Sequence, residues 1–219
     1  MATFISLKDP RSKSLDELYE NLETTPGTCI FIDIIDSTAD KYICTPLQWI
    51  RKLNNTFNFI SLLNDFPNFV VKGIGDELML YLPDKDLLSI SVFKNYYMLL
   101  LEIYATLDNL KNHPLNDLFY ECKVGIHYCT NVYNITFFEG VNDYYGSDID
   151  LAARIMKKAQ KNSIVVSESF YDKVIENMKL MDEVPAIDIN KSVSEPVIEH
   201  FKGVPHPVVY RMIEVGEES

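Results

Sequence analysis

Phe31-Ile-Asp-Ile-Ile-Asp-Ser-Thr38 and Val70-Val-Lys-Gly-Ile-Gly-Asp-Glu-Leu-Met79 decide how this chain is read, because each carries an apolar strand into a turn that holds a carboxylate. Neighbouring strands lie about 4.8 Å apart, so two such strands side by side present Asp33 and Asp76 as paired oxygen ligands for hard divalent cations. A carboxylate in an apolar strand carries a large desolvation cost unless a cation or hydrogen bonds offset it. The plainer alternative is two turn aspartates that cap backbone amides, and the matched surroundings weigh against it. Two carboxylates with two magnesium or manganese ions suit phosphoryl transfer, in which ions roughly 3.5–4 Å apart hold the attacking and leaving oxygens.

Outward from these stretches, residues 28–35 are rich in β-branched and aromatic residues and read as a buried strand, followed by cap residues at 36–38. Leu47, Ile50, Leu53, Phe57, Ile60 and Leu63 recur at helical steps, predicting one amphipathic helix over 46–63 that links the two aspartate strands. Residues 69–74 and 78–82 flank Gly75-Asp-Glu77 and predict a hairpin with Asp76 in its turn. A second helix is expected over 87–110, strands over 121–128 and 133–138, a helix over 147–158 opening after Gly146, a short strand over 164–166, a helix over 169–178, and a strand or hairpin over 200–214. The polar start carries a capping pattern, Ser14-Leu-Asp-Glu17, for a short helix over 14–22. Residues 185–196 are the candidate linker. Hairpins mixed with helices predict an α+β sandwich, its sheet mostly antiparallel and covered by helices.

At 219 residues the chain suits one domain: a flank over 1–27, a core domain over 28–213 and a tail over 214–219. Hydrophobic content of 47%, charged content of 24%, no apolar run of spanning length and no signal-like start point to a soluble, cytoplasmic protein. Cys29, Cys44, Cys122 and Cys129 show no metal-finger spacing and read as reduced, mostly buried thiols without assigned chemistry. A net charge of -12 argues against a protein that tracks along nucleic acid or binds an anionic membrane. Any phosphate site must draw on local cations or bound metals.

Further candidates are individually weak. Lys72 precedes Asp76 by four residues and can meet a phosphate or a base edge, or be a solvated strand lysine. Asp143 alone is an ordinary turn residue. Asp150 and Arg154 lie one helical turn apart, which suits an intrahelical ion pair, although a permanently charged guanidinium also suits phosphates. His127 at a strand end reads as a packed imidazole.

Together these residues resemble the catalytic domain of the class III nucleotidyl cyclases. Phe31-Ile-Asp33 with Ser37-Thr38 is similar to the first metal motif, Lys72-Gly-Ile-Gly-Asp76 to the second, Val124-Gly-Ile-His127 to the strand that follows, and Gly146-Ser-Asp-Ile-Asp-Leu-Ala-Ala-Arg154 to the signature helix. Ile164-Val-Val-Ser-Glu168 and Phe201-Lys-Gly-Val204 resemble the closing elements. The resemblance implies a cyclase sandwich with a ferredoxin-like core, and a homodimer with two composite sites. It implies two Mn2+ or Mg2+ ions held by Asp33, the Ile34 backbone and Asp76 of one protomer, with Lys72 and Asp143 reading the base, Asp150 near the ribose, and Arg154 at the transition state from the other. The ribose 3′-hydroxyl attacks the α-phosphate and pyrophosphate leaves.

Three departures stand out. Asp150 replaces the family's ribose-positioning asparagine and cannot donate when ionised. Val204 stands where some relatives carry a triphosphate-binding lysine, with Lys202 nearby. Asp36 replaces a glycine common after the first metal motif. A lysine donor with an aspartate acceptor matches adenine and cytosine, and uracil binds that pair only by re-seating. The drifted motifs and absence of a regulatory domain resemble the pyrimidine cyclases of bacterial Pycsar anti-phage systems, which implies cyclic UMP or cyclic CMP made from UTP or CTP for a separate effector protein. Adenylate cyclase remains an alternative, as do a diguanylate cyclase, though the paired glycines of its turn are missing, and a degenerate cyclase fold that only binds nucleotide.

Overall fold

Strand β2 (Gly27–Ile34) is apolar on both sides of its pleat: Ile30, Ile32 and Ile34 enter one core layer, Cys29 and Phe31 the other. A strand buried on both faces needs cover above and below, and the chain builds its sheet around it. The computed structural model describes residues 2–5, 20, 22–61, 66–89, 95–180 and 192–216. Seven strands run in the order β3 (Val70–Ile74), β4 (Glu77–Pro83), β2, β5 (Cys122–Cys129), β7 (Ser163–Ser167), β9 (Val208–Glu214) and β8 (Val197–Glu199). Every neighbouring pair is antiparallel except β5 and β7, which are parallel. Away from this sheet, β1 (Thr3–Phe4) pairs in parallel with β6 (Ile135–Thr136).

Between β2 and β3 lie α1 (Ser37–Ile43), α2 (Pro46–Ser61) and the single turn α3 (Phe66–Phe69). The chain continues through α4 (Asp84–Ser89) and α5 (Tyr96–Lys111) to β5, then α6 (Ser147–Met156) to β7 and α7 (Glu168–Lys179) towards β8. The parallel β5–β7 pair needs a crossover, and α6 lies on it. Helices α5 and α7 cover one face, packing Leu99, Ile103, Phe170 and Val174 into the layer of Ile30, Ile32, Leu80 and Val124. Helix α6 covers the other, with Ala152 and Met156 against Cys29, Phe31 and Met79. Its approach to β5 is close: a Cβ on Gly125 would collide with the Met156 backbone.

The α+β sandwich expected from the sequence is observed, with four local differences. Among the described residues, the connection between the aspartate strands has three helical segments rather than one, the first of them α1, which starts directly after Asp36 turns the backbone left-handed (φ 62°). The single helix expected over 87–110 is divided: Asn95 is extended and its side chain accepts from the Met98 amide at 2.8 Å, so α5 opens at Tyr96, while α4 is a separate helix. Only Ile135–Thr136 of 133–138 is strand, and Tyr133 instead bridges to Tyr145. The hairpin expected over 200–214 begins earlier, at Val197. The helix expected over 14–22 lies outside the described residues, apart from residues 20 and 22, as does the linker up to residue 191. Among the described residues, no helix is long and apolar enough to cross a membrane.

Candidate active site

Strand register sets the first half of the site. Asp33 pairs with Glu77 of β4 on one side and Lys123 of β5 on the other, so the three form a row across the sheet. Side chains alternate along β2, which puts this row on the α6 face together with Phe31. Lys123 Nζ lies 3.0 Å from Asp33 Oδ2. Asp76 sits in the two-residue turn between β3 and β4, where Gly75 takes φ 69°. The Ile34 amide donates to the Asp76 carbonyl at 3.3 Å, tying that turn to the end of β2. Ser37 Oγ donates to Asp76 Oδ2, and Lys41 Nζ stands 3.9 Å from the same oxygen.

Asp33, the Ile34 backbone and Asp76 therefore gather at one corner of the sheet. Their oxygens are hard donors, the type that suits Mg2+ or Mn2+. Glu77 reports the concentration of negative charge there: burial and then Asp33, with Asp76 adding to them, push its carboxyl above the usual range, while Lys157 and Lys123 pull it back. A divalent cation at this corner would offset that repulsion, so the residues fit one.

The second half lies along β3 and the approach to α6. Lys72 Nζ is 2.8 Å from both carboxylate oxygens of Asp143, which is only 6% exposed. Asp143 Oδ1 also accepts from the Tyr144 amide at 2.8 Å. Two expectations change here, since Lys72 is no freely solvated strand lysine and Asp143 is a buried partner rather than an ordinary turn residue. Lys72 also stands 5.3 Å over the Tyr145 ring, and Tyr144 stacks on Tyr81 with centroids 4.2 Å apart. Lys72, Tyr144, Tyr145, Phe31, Met79 and Asp150 line part of a cavity of about 340 Å³.

Asp150 is exposed in the first turn of α6. Arg154, one turn on, does not pair with it: its guanidinium donates to the Lys202 carbonyl in the 201–204 turn. That turn is closed by the Val204 amide on the Phe201 carbonyl at 3.0 Å and carries Gly203 at φ 81°. Val204 packs into the small core of Ile155, Phe201 and Tyr210, a role that a charged side chain would not fill, whereas Lys202 is exposed. Asp36 takes a left-handed backbone conformation (φ 62°), which glycine adopts without strain.

Sequence reasoning did not single out Lys123, Lys41 or Glu77, and took Ser37 only as a cap residue and part of the first metal motif. Glu77 follows Asp76 directly, and its place in the hairpin was the available signal. Lys123 reaches Asp33 only through the β2–β5 register, which no local pattern encodes.

Residues 20–190 match the family described as the adenylate and guanylate cyclase catalytic domain. Among curated proteins, no sequence matches the chain significantly. Solved structures resemble it in fold. The guanylyl cyclase Cya2 is 18% identical with a TM-score of 0.66, covering 90% of this chain and 95% of its own. The adenylyl cyclase CyaB from P. aeruginosa is 18% identical with a TM-score of 0.65, covering 90% and 98%. A non-canonical dimeric guanylyl cyclase domain of the RhoGC fusion protein from the aquatic fungus Blastocladiella emersonii is 12% identical with a TM-score of 0.62, covering 86% of this chain and 96% of its own. With more than half of its length matched, the chain belongs to the adenylate and guanylate cyclase catalytic domain family.

Proposed function

We propose that this nucleotidyl cyclase domain is a pyrimidine cyclase, converting UTP or CTP to 3′,5′-cyclic UMP or cyclic CMP and pyrophosphate. The observation that supports a base-reading site is the Lys72–Asp143 pair, which puts a donor and an acceptor side by side, with Lys72 on the wall of the cavity that Tyr144 and Tyr145 also line. Tyr145 lies beside Lys72, with Nζ 5.3 Å from its ring centroid, and in this reading its ring would narrow the pocket towards a single-ring base. Cytosine meets the pair directly, and uracil meets it with a carbonyl on Lys72 and its ring N–H on Asp143.

Asp33, the Ile34 carbonyl and Asp76 would hold the two divalent ions, Mg2+ or Mn2+, that neutralise the triphosphate and activate the 3′-hydroxyl. Lys123, released from Asp33 when cations take its place, would meet phosphate oxygens. Asp150 would accept from the ribose, and Arg154 would leave the Lys202 carbonyl to stabilise charge on the α-phosphate. One 3′ O–P bond forms, the α–β anhydride bond breaks, and the hydroxyl proton is lost to solvent.

The site is completed by a second copy of the chain. Arg154 points to its own 201–204 turn rather than to Asp33 or Asp76, and Val70 and Ile74 at the β3 edge are 40% and 49% exposed, as a partner-covered surface would be in the free chain. The resemblance to Pycsar cyclases in the Asp36, Asp150 and Val204 departures supports a role in anti-phage signalling through a separate effector that binds the cyclic nucleotide.

Incubation of the purified protein with each of the four ribonucleoside triphosphates and Mn2+, with products resolved by mass, tests this. Cyclic UMP or cyclic CMP is expected. Cyclic AMP as the sole product would replace the pyrimidine reading with adenylate cyclase, which the same Lys72–Asp143 pair also matches. Nucleotide binding without pyrophosphate release would mark a degenerate, binding-only domain.

A further inference from the structure

Beyond the Asp33 row, the alternation of β5 carries His127 and Cys129 to the same α6 face as Lys123 and Gly125. The chain returns through 130–146 so that Asp148, in the first turn of α6, reaches them. One ligand-type atom from each of the three residues lies within 4.8 Å of the other two. His127 is 7% exposed and Cys129 is fully buried.

Two independent features mark this cluster. His127 Nδ1 is buried with no hydrogen-bond partner, and leaving such a group unsatisfied costs about 1–3 kcal/mol. Asp148 is already fixed in place: its Oδ2 accepts from the Thr130 and Asn131 amides at 2.7 and 2.8 Å, while Oδ1 has only a 3.4 Å contact with Ser147 Oγ. One carboxylate oxygen is thus spent on holding the side chain still and the other is available, as in metal sites whose ligands are oriented by outer hydrogen bonds.

We propose that His127, Cys129 and Asp148 form a three-ligand site for a borderline transition-metal ion of the Zn2+ class, with the fourth position open to water. An imidazole nitrogen, a thiolate and a carboxylate select such an ion, whereas the all-oxygen corner at Asp33 and Asp76 suits Mg2+ or Mn2+. Cys129 now donates to the His127 carbonyl at 3.6 Å. On binding, its S–H bond is replaced by an S–metal bond and the proton passes to solvent, with no change of oxidation state. The ion would join the end of β5 to the first turn of α6, the helix that carries Asp150 and Arg154. The site is separate from the nucleotide chemistry and does not depend on the pyrimidine reading.

Co2+ titration of the full chain distinguishes it, because thiolate-to-cobalt charge transfer absorbs in the near ultraviolet and an oxygen-only site cannot produce it. We expect about one equivalent of Co2+ to develop that band, Zn2+ to bleach it, and the doubly substituted Asp33→Asn/Asp76→Asn protein to retain it. Cys129→Ala should abolish the band, and Cys44→Ala should leave it. Asp148→Asn, whose amide oxygen still accepts from Thr130 and Asn131, should weaken Co2+ binding at least about tenfold. A folded parent protein without the band, or a band that survives Cys129→Ala, overturns the site. If Cys129→Ala does not fold, Asp148→Asn decides, and unchanged Co2+ affinity in that variant overturns it equally.

Discussion

Lys72 and Asp143, separated by 71 positions in the chain, form a two-oxygen ion pair in which the aspartate is buried and the lysine side chain is 37% exposed. The pair joins the β3 edge to the segment that leads into α6, so the contact that would read a base in the proposed function also holds these two segments together. Its asymmetry has an energetic consequence. Lys72→Met strands a buried carboxylate and should cost about 2–3 kcal/mol, whereas Asp143→Asn leaves a lysine that turns to water and should cost about 1 kcal/mol or less. Chemical denaturation of the two variants checks the order, and equal losses would contradict it.

Asp33→Asn and Asp76→Asn should each lower cyclase turnover by at least about a hundredfold while keeping stability within about 1 kcal/mol of the parent, because each replaces a charged ligand at a partly exposed corner and removes no core contact. Turnover by mass spectrometry and thermal melting are the paired measurements. Retained turnover in either variant would sink the two-ion assignment.

Gly125→Ala places a methyl group against the Met156 backbone, where α6 meets β5. The helix must shift to admit it, with an expected cost of about 1–3 kcal/mol. Asp150 and Arg154 move with that helix, so turnover should fall even below the melting transition. A variant as stable and active as the parent would show that the contact yields freely.

Asp36→Gly tests the left-handed residue. Holding φ 62° costs an L-residue strain that glycine lacks, and glycine's greater freedom in the unfolded chain partly offsets the gain from removing it. The net expectation is a gain of about 0.5 kcal/mol, read as a higher denaturation midpoint.

His127 should make the fold sensitive to acid. Burial pulls its pKa down to about 4 from 6.5, with Asp148 opposing, so the unfolded chain binds a proton at this residue that the folded chain refuses. Unfolding is therefore favoured as pH falls from about 6.5 towards 4, and stability from this group is fully present above that window. The loss amounts to about 3 kcal/mol across it. His127→Gln should flatten this part of the stability curve, and an unchanged slope would rule out His127 as its source.

Sequence periodicity determined the strands, most of the helices and the Gly75-Asp76 turn, because alternation, helical spacing and turn chemistry are local properties. The same local patterns singled out Asp33 and Asp76, while Lys72, Asp143, Asp150 and Arg154 became site candidates only through the resemblance to the class III cyclases. They failed where one residue overrides a pattern: Asn95 caps a helix inside an apolar run, and Asp36 adopts a left-handed turn that its residue type does not announce. Partners were the work of tertiary structure. Lys123 meets Asp33, Lys72 meets Asp143, Arg154 turns to Lys202 instead of Asp150, and His127 faces Cys129 and Asp148. Each of these contacts depends on strand register or on a chain crossover, and a charge's partner is chosen by proximity in space, which neighbours in sequence do not specify.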